Sequence, residues 1–142
     1  MSFSVLGDLN WLAVIVAAIV YFAIGGAWFA PFAFGKIWQE AIGWTEADAA
    51  KATPASMYVI PAVTCLVETI ALAMLAEATG TDTFGEGIVL GIVAGVGLTA
   101  AALYVTGFFD PRKPKPGQWI AITAGYHAVG LLVGAIILAV WT

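Results

Sequence analysis

Polar residues are unevenly distributed along this chain. Four apolar stretches, 10–30, 57–78, 86–109 and 119–141, are separated by segments that hold most of the charges. Each stretch is about the 20 residues that a helix needs to cross a hydrocarbon layer roughly 30 Å thick. The pattern predicts an all-α integral membrane protein. Its four transmembrane helices form two antiparallel hairpins, within a single transmembrane domain over 1–142. The turn between the second and third stretches, ATGTDTFGEG, is short and predicts that these two spans are antiparallel neighbours. The loop DPRKPKPGQ before the fourth holds three prolines and cannot be helical.

The first loop has a pattern of its own. Pro31 ends or kinks the first helix. Phe32, Phe34, Ile37, Trp38, Ile42 and Trp44 then alternate with Lys36, Gln39 and Glu40. That mixture suits a short helical segment lying in the headgroup plane, with Trp38, Trp44 and Lys36 as interfacial residues. Thr45-Glu46-Ala47-Asp48 resembles a capping box, with Asp in place of Glu, and predicts a short helix to about residue 52. Thr53-Pro54 reads as a further N-cap with proline at the first helical position.

Composition sharpens the picture. Hydrophobic residues make up 62% of the 142 and charged residues 10%. Mean hydropathy is +0.99. Five basic and nine acidic residues cannot cover the surface of a soluble domain this small. With no basic face, nucleic-acid binding is excluded. The single cysteine, Cys65, permits no intramolecular disulfide and is expected to be a small buried hydrophobe. Lys36 and Lys51 lie between spans one and two, and Arg112, Lys113 and Lys115 between spans three and four. These loops are therefore expected inside and both termini outside. No Lys or Arg precedes the first span and its apolar run is long, so it is expected to stay in the mature protein.

Small residues at four-residue spacing allow helix backbones to approach closely. Gly87, Gly91 and Gly95, continued by Thr99, form such a row in span three. Gly130 and Gly134 form another in span four. They are read as helix-packing positions, with Gly91 and Gly95 the expected contact of a homo-oligomer. Gly95-x-Gly97-x-x-Ala100 matches a dinucleotide fingerprint in letters alone. It sits inside a span with no preceding strand, and is set aside.

Glu68 is the one charge in the middle of a span. A carboxylate there costs at least ~2.5 kcal/mol on insertion scales, so it should face the bundle. Pro61, Thr64 and Cys65 share its side of the helix. Pro61 also frees a backbone carbonyl, which Thr64 or Glu68 would satisfy. His127, the only histidine, shares a face with Thr123, Gly130 and Gly134. At 1.5 Å per residue, Glu68 lies ~16 Å and His127 ~12 Å from the inner side. Glu68, His127, Thr64 and Thr123 thus form a candidate intramembrane polar site, either a proton or cation site or a clasp between helices. No nucleophile arrangement, metal spacing or phosphate loop accompanies it. No catalytic residue, metal or cofactor is expected, and the chain is read as not an enzyme.

The stretch GGAWFAPFAFGKIWQEAIGWTEADAAK carries small-small-x-Trp-aromatic-x-Pro, then Phe-Gly-Lys-x-Trp, then Gly-x-Thr-Glu-x-Asp. With the later AGYHAVGLLVGAIILAVW, it resembles the bacterial membrane family catalogued as domain of unknown function 1761 (DUF1761). The resemblance spans about residues 10–141 and implies a small multi-pass protein of the bacterial inner membrane, without an established substrate. The resulting expectation is a structural or accessory self-associating bundle, a dimer or larger, alone in the bilayer or within a larger membrane complex. The alternative is a small transporter or channel using Glu68 and His127.

Overall fold

The computed structural model describes residues 2–51 and 54–141, which form helices and connecting turns without a strand. Four stretches are long and apolar enough to cross a membrane: Trp11–Trp28, Ala55–Thr79, Phe84–Phe108 and Pro116–Val140. The first is helix α1 (Trp11–Trp28). Two short helices follow, α2 (Gly35–Ile42) and α3 (Glu46–Lys51). Span two is α4 (Pro54–Thr79). Span three is α5 (Phe84–Ile92), a π-helical segment (Val93–Ala100) and α6 (Ala101–Phe108) in unbroken succession. Span four is α7 (Pro116–Val140).

Local chemistry sets these boundaries. Asn10 Oδ1 accepts from the Ala13 amide at 3.1 Å and starts α1, while Asn10 Nδ2 donates to the Trp141 carbonyl at 3.0 Å. Thr83 and Glu86 make a reciprocal capping box on α5. The expected box at Thr45 and Asp48 is present, with the Thr45 amide bonded to Asp48 Oδ2 at 3.0 Å and the Asp48 amide to Thr45 Oγ1 at 3.3 Å. The expected cap at Thr53 lies outside the described residues. Pro116 occupies the first turn of α7, where its missing amide costs nothing.

Because the spans are apolar all round, side-chain size rather than hydrophobicity decides which face turns inward. α1 buries Ala13, Val14, Ala17, Ala18 and Tyr21. α4 buries Cys65, Thr69, Leu72, Ala73 and Ala76. α7 is the central helix and packs against α1, α4 and all of span three. The core is therefore a three-helix cluster of α1, α4 and α7, with span three laid on the outer side of α7.

Two sequence expectations need correction here. Spans two and three, though joined by a short turn, do not pack along one another. The turn sets their connection, but the small faces on α7 attract both helices, and each packs on α7 instead. The row Gly87, Gly91, Gly95 packs within the chain and not against another subunit. A β-carbon at Gly91 would lie 2.6 Å from Leu132 Cα, one at Gly95 2.9 Å from Ala128 Cα, and one at Gly87 3.0 Å from Ile136 Cα. Beyond Gly95 the π-helical segment changes the phase of the helix. On a regular α-helix Gly107, 12 positions after Gly95, would stand about a third of a turn out of line. The wider i→i+5 turns lag behind and bring Gly107 onto α7, where its β-carbon would meet Trp119 Cζ3 at 2.5 Å.

Candidate functional site

Glu68 and His127 do meet. His127 Nδ1 lies 3.3 Å from Glu68 Oε2. A third residue joins them: Tyr21 Oη, from α1, donates to Glu68 Oε2 at 2.5 Å and hydrogen-bonds His127 Nδ1. Each of the three core helices thus contributes one member of a polar triad. Tyr21 itself is 1% exposed.

The triad is seated by shape. Tyr21's ring lies flat on the backbone of Gly130, where a β-carbon would come within 2.0 Å of Cε2. Only glycine permits that approach. Tyr126 closes over it, with ring centroids 5.3 Å from Tyr21 and 4.8 Å from His127. Tyr126 Oη contacts Cys65 Sγ at 3.3 Å and donates to the Tyr21 carbonyl at 3.5 Å. Thr69 Oγ1 donates to the Cys65 carbonyl at 2.8 Å. Among the described residues no fully buried side-chain nitrogen or oxygen lacks a partner.

The site is not sealed on every side. The side chains of Glu68 and His127 keep 32% and 20% of their exposure. On α4, Glu68 stands at the edge of the buried face, next to exposed Thr64, Val67 and Ala71.

Thr64 and Thr123, expected to share this site, do not. Thr64 is exposed and donates to the carbonyls of Ile60 (3.1 Å) and Pro61 (2.9 Å) in its own helix. It does not serve the carbonyl that Pro61 frees, which is that of Met57, four residues before the proline. Thr123 accepts from Trp38 Nε1 at 3.1 Å. Trp38, expected at the membrane interface, is thus tied to α7. It points inward, edge-on to Phe29 with centroids 5.3 Å apart, and fastens α2 to α7. Lys36 and Trp44 remain exposed. Gly134 fills its packing role modestly, its β-carbon 3.5 Å from Leu72 Cδ2.

Sequence reasoning missed Tyr21, although a signal was there. Tyr21 lies ten residues from Trp11, ~15 Å into the span. A phenol at that depth has no water to bond and needs a protein partner. Glu68 is at the matching level from the other side.

Outside the spans, Asp110 organises the last loop. It binds Lys113 Nζ at 2.6 Å and both the backbone amide (3.1 Å) and the Nε (3.2 Å) of Arg112. These contacts, Lys113 first, hold its carboxyl well below the usual range. Lys113 also lies over the Trp119 ring at 4.4 Å, and Lys115 Nζ reaches Glu40 at 2.9 Å. The Thr45 hydroxyl, bonded to Asp48, lowers that carboxyl's proton affinity too.

A family model described as "Protein of unknown function (DUF1761)" matches residues 12–139. No curated protein matches the chain, and no solved structure does.

Proposed function

The chain belongs to the DUF1761 family, and from that premise we propose that it is a structural or accessory bundle of the membrane that associates with a second copy of itself. The exposed edge of α4 beside Glu68 carries this reading. A carboxyl with 32% of its side chain exposed faces hydrocarbon in a lone chain, at a depth where insertion scales charge ~2.5 kcal/mol or more. A second copy laid over this edge removes that cost. It also covers Val67 and Val63, which are 60% and 52% exposed. The bacterial inner membrane, with both termini outside, is the placement we propose. The five basic residues in the loops joining α1 to α4 and α6 to α7 support it. No enzymatic role is proposed.

The test is association in mild detergent. Native mass spectrometry should show a dimer or larger assembly, and Val67→Cys should cross-link between copies on oxidation. A monomer alone, with no cross-link, would overturn the proposal. Reporter fusions after Thr142 test the placement, and a cytoplasmic reporter active there would reverse it.

A second reading, a small transporter or channel built on Glu68 and His127, is favoured by one observation. The polar triad is open at Glu68, whose side chain is 32% exposed, rather than enclosed on all sides.

A further inference from the structure

Tyr21 stands between a carboxyl and an imidazole and can bond both at once. A phenol has a single hydrogen. It can donate to Glu68 while accepting from His127, or accept from Glu68 while donating to His127. The same positions of the heavy atoms serve both arrangements. In the first, Glu68 is a carboxylate and His127 carries a proton on Nδ1. In the second, Glu68 is a carboxylic acid and His127 Nδ1 is bare.

We propose that Tyr21, Glu68 and His127 form a proton-binding site in which Tyr21 relays protons between Glu68 and His127. The inference deepens the second reading above and does not depend on self-association. The step balances within the triad. The Glu68 O–H bond breaks as a new Tyr21 O–H bond forms. Tyr21's original O–H bond breaks as His127 Nδ1–H forms. A neutral acid and a neutral imidazole become a carboxylate and an imidazolium, and the phenol is unchanged. A proton entering from outside the bundle reaches the triad at Glu68, its more exposed member.

The ligand is a proton and not a metal cation for a geometric reason. The three polar atoms lie within 3.3 Å of each other, so no space between them admits an ion. A hard cation also requires six or more oxygen ligands, and here one of the three donors is nitrogen. The titratable groups facing the triad are few. α1 presents Tyr21, α4 presents Glu68 and Cys65, and α7 presents His127 and Tyr126. No lysine, arginine or aspartate lies within the four spans.

The sole histidine makes the test selective. Protein labelled with ¹⁵N-histidine, in lipid nanodiscs, gives nitrogen signals from His127 alone. These are followed across the interval where histidine ordinarily titrates, roughly pH 5 to 8. The wild type should take up a proton there, and Tyr21→Phe and Glu68→Gln should each change its affinity tenfold or more. The double variant should shift no further than the larger single one, because a relay works only as a unit. Fluorotyrosine placed at position 21 keeps the ring and both hydrogen bonds. It should move the titration without lowering thermal stability, which covers the case in which Tyr21→Phe fails to fold. A clasp with a purely structural role predicts otherwise. His127 would not titrate in the wild type, or its titration would be the same in every folded variant, and either result would overturn the proposal. Loss of the dimer with an intact titration would overturn self-association alone.

Discussion

Replacing Gly130 by alanine should dismantle the triad without touching any of its polar atoms. The added methyl would sit 2.0 Å from Tyr21 Cε2 and 2.1 Å from Cδ2, where ordinary contact begins at 3.4 Å. The ring must therefore retreat by about 1.4 Å. It has nowhere to go, because Tyr126 and His127 hem it in, with centroids 5.3 and 5.9 Å away. Either α1 separates from α7 or the ring leaves its slot, and in both cases Tyr21 Oη loses Glu68 and His127. Overpacking of this kind costs ~1–3 kcal/mol. Two interhelical hydrogen bonds in a membrane add about 0.6 kcal/mol each. A loss of ~2–4 kcal/mol lowers the apparent Tm by roughly 6–15 °C for a chain of this size. The assay is thermal unfolding in detergent or nanodiscs, with Gly134→Ala and Gly26→Ala as controls. At Gly134 the new methyl meets only Leu72 at 3.5 Å, and at Gly26 nothing lies within 4 Å. Both controls should melt within a few degrees of the wild type. If Gly130→Ala melts with them, the ring does not occupy that slot and the site described here is wrong.

Three further predictions concern other contacts. Gly91→Ala and Gly95→Ala drive a methyl into the α7 backbone and should lift span three off it. Amide exchange should rise along 84–108 in both and stay unchanged in Gly97→Ala, whose β-carbon meets nothing within 4 Å. Trp38→Phe removes the donor to Thr123 and should cost about 1 kcal/mol, with faster tryptic cleavage after Lys36 as the readout. For Asp110 the folded carboxyl's proton affinity is lowered, so its stabilisation is complete above the unfolded pKa of about 3.9. It is lost only as pH falls below that value toward the folded one. Loop order should thus be constant from mild acid to neutrality, whereas Asp110→Asn, imitating the protonated group, should loosen it at neutral pH. Lys113 and Lys115 precede prolines, so tryptic cleavage after Arg112 reports on this loop specifically. An unchanged cleavage rate would show that Asp110 does not order it.

What could be read in the sequence followed from single-element physics. Span length, the Thr45 and Asp48 box, and the matching levels of Glu68 and His127 depend on one helix at a time, and the two side chains do meet. What escaped depended on how helices meet. An apolar helix has no polar face to mark its outside, so the glycine row of span three was legible as a contact but not as a contact with α7. Tyr21 was counted among the apolar residues of its span, and only the arrival of α4 and α7 gives its hydroxyl a role. Trp38 reads as interfacial from its neighbours in sequence, and nothing in that stretch signals its bond to Thr123, 85 residues further on. Thr64 was grouped with Glu68 by angular position alone. Yet a threonine in a helix readily satisfies its own carbonyls, and in this case it does.

The π-helical segment also bears on how span three can change over generations. Such a segment is what a helix adopts when it carries one residue more than its α-helical register allows. Removing a residue from 93–100 would let the helix relax to ordinary i→i+4 bonding, a local gain. The same deletion would leave Gly107 eleven positions after Gly95, about 20° from its line on a regular α-helix, so it would still face Trp119 and Ile120. The extra residue and the wider turns are thus coupled: they can be gained or lost together without turning the helix face beyond them. Length variation of a single residue within 93–100 should accordingly be tolerated in this family, with a small residue kept at the position of Gly107.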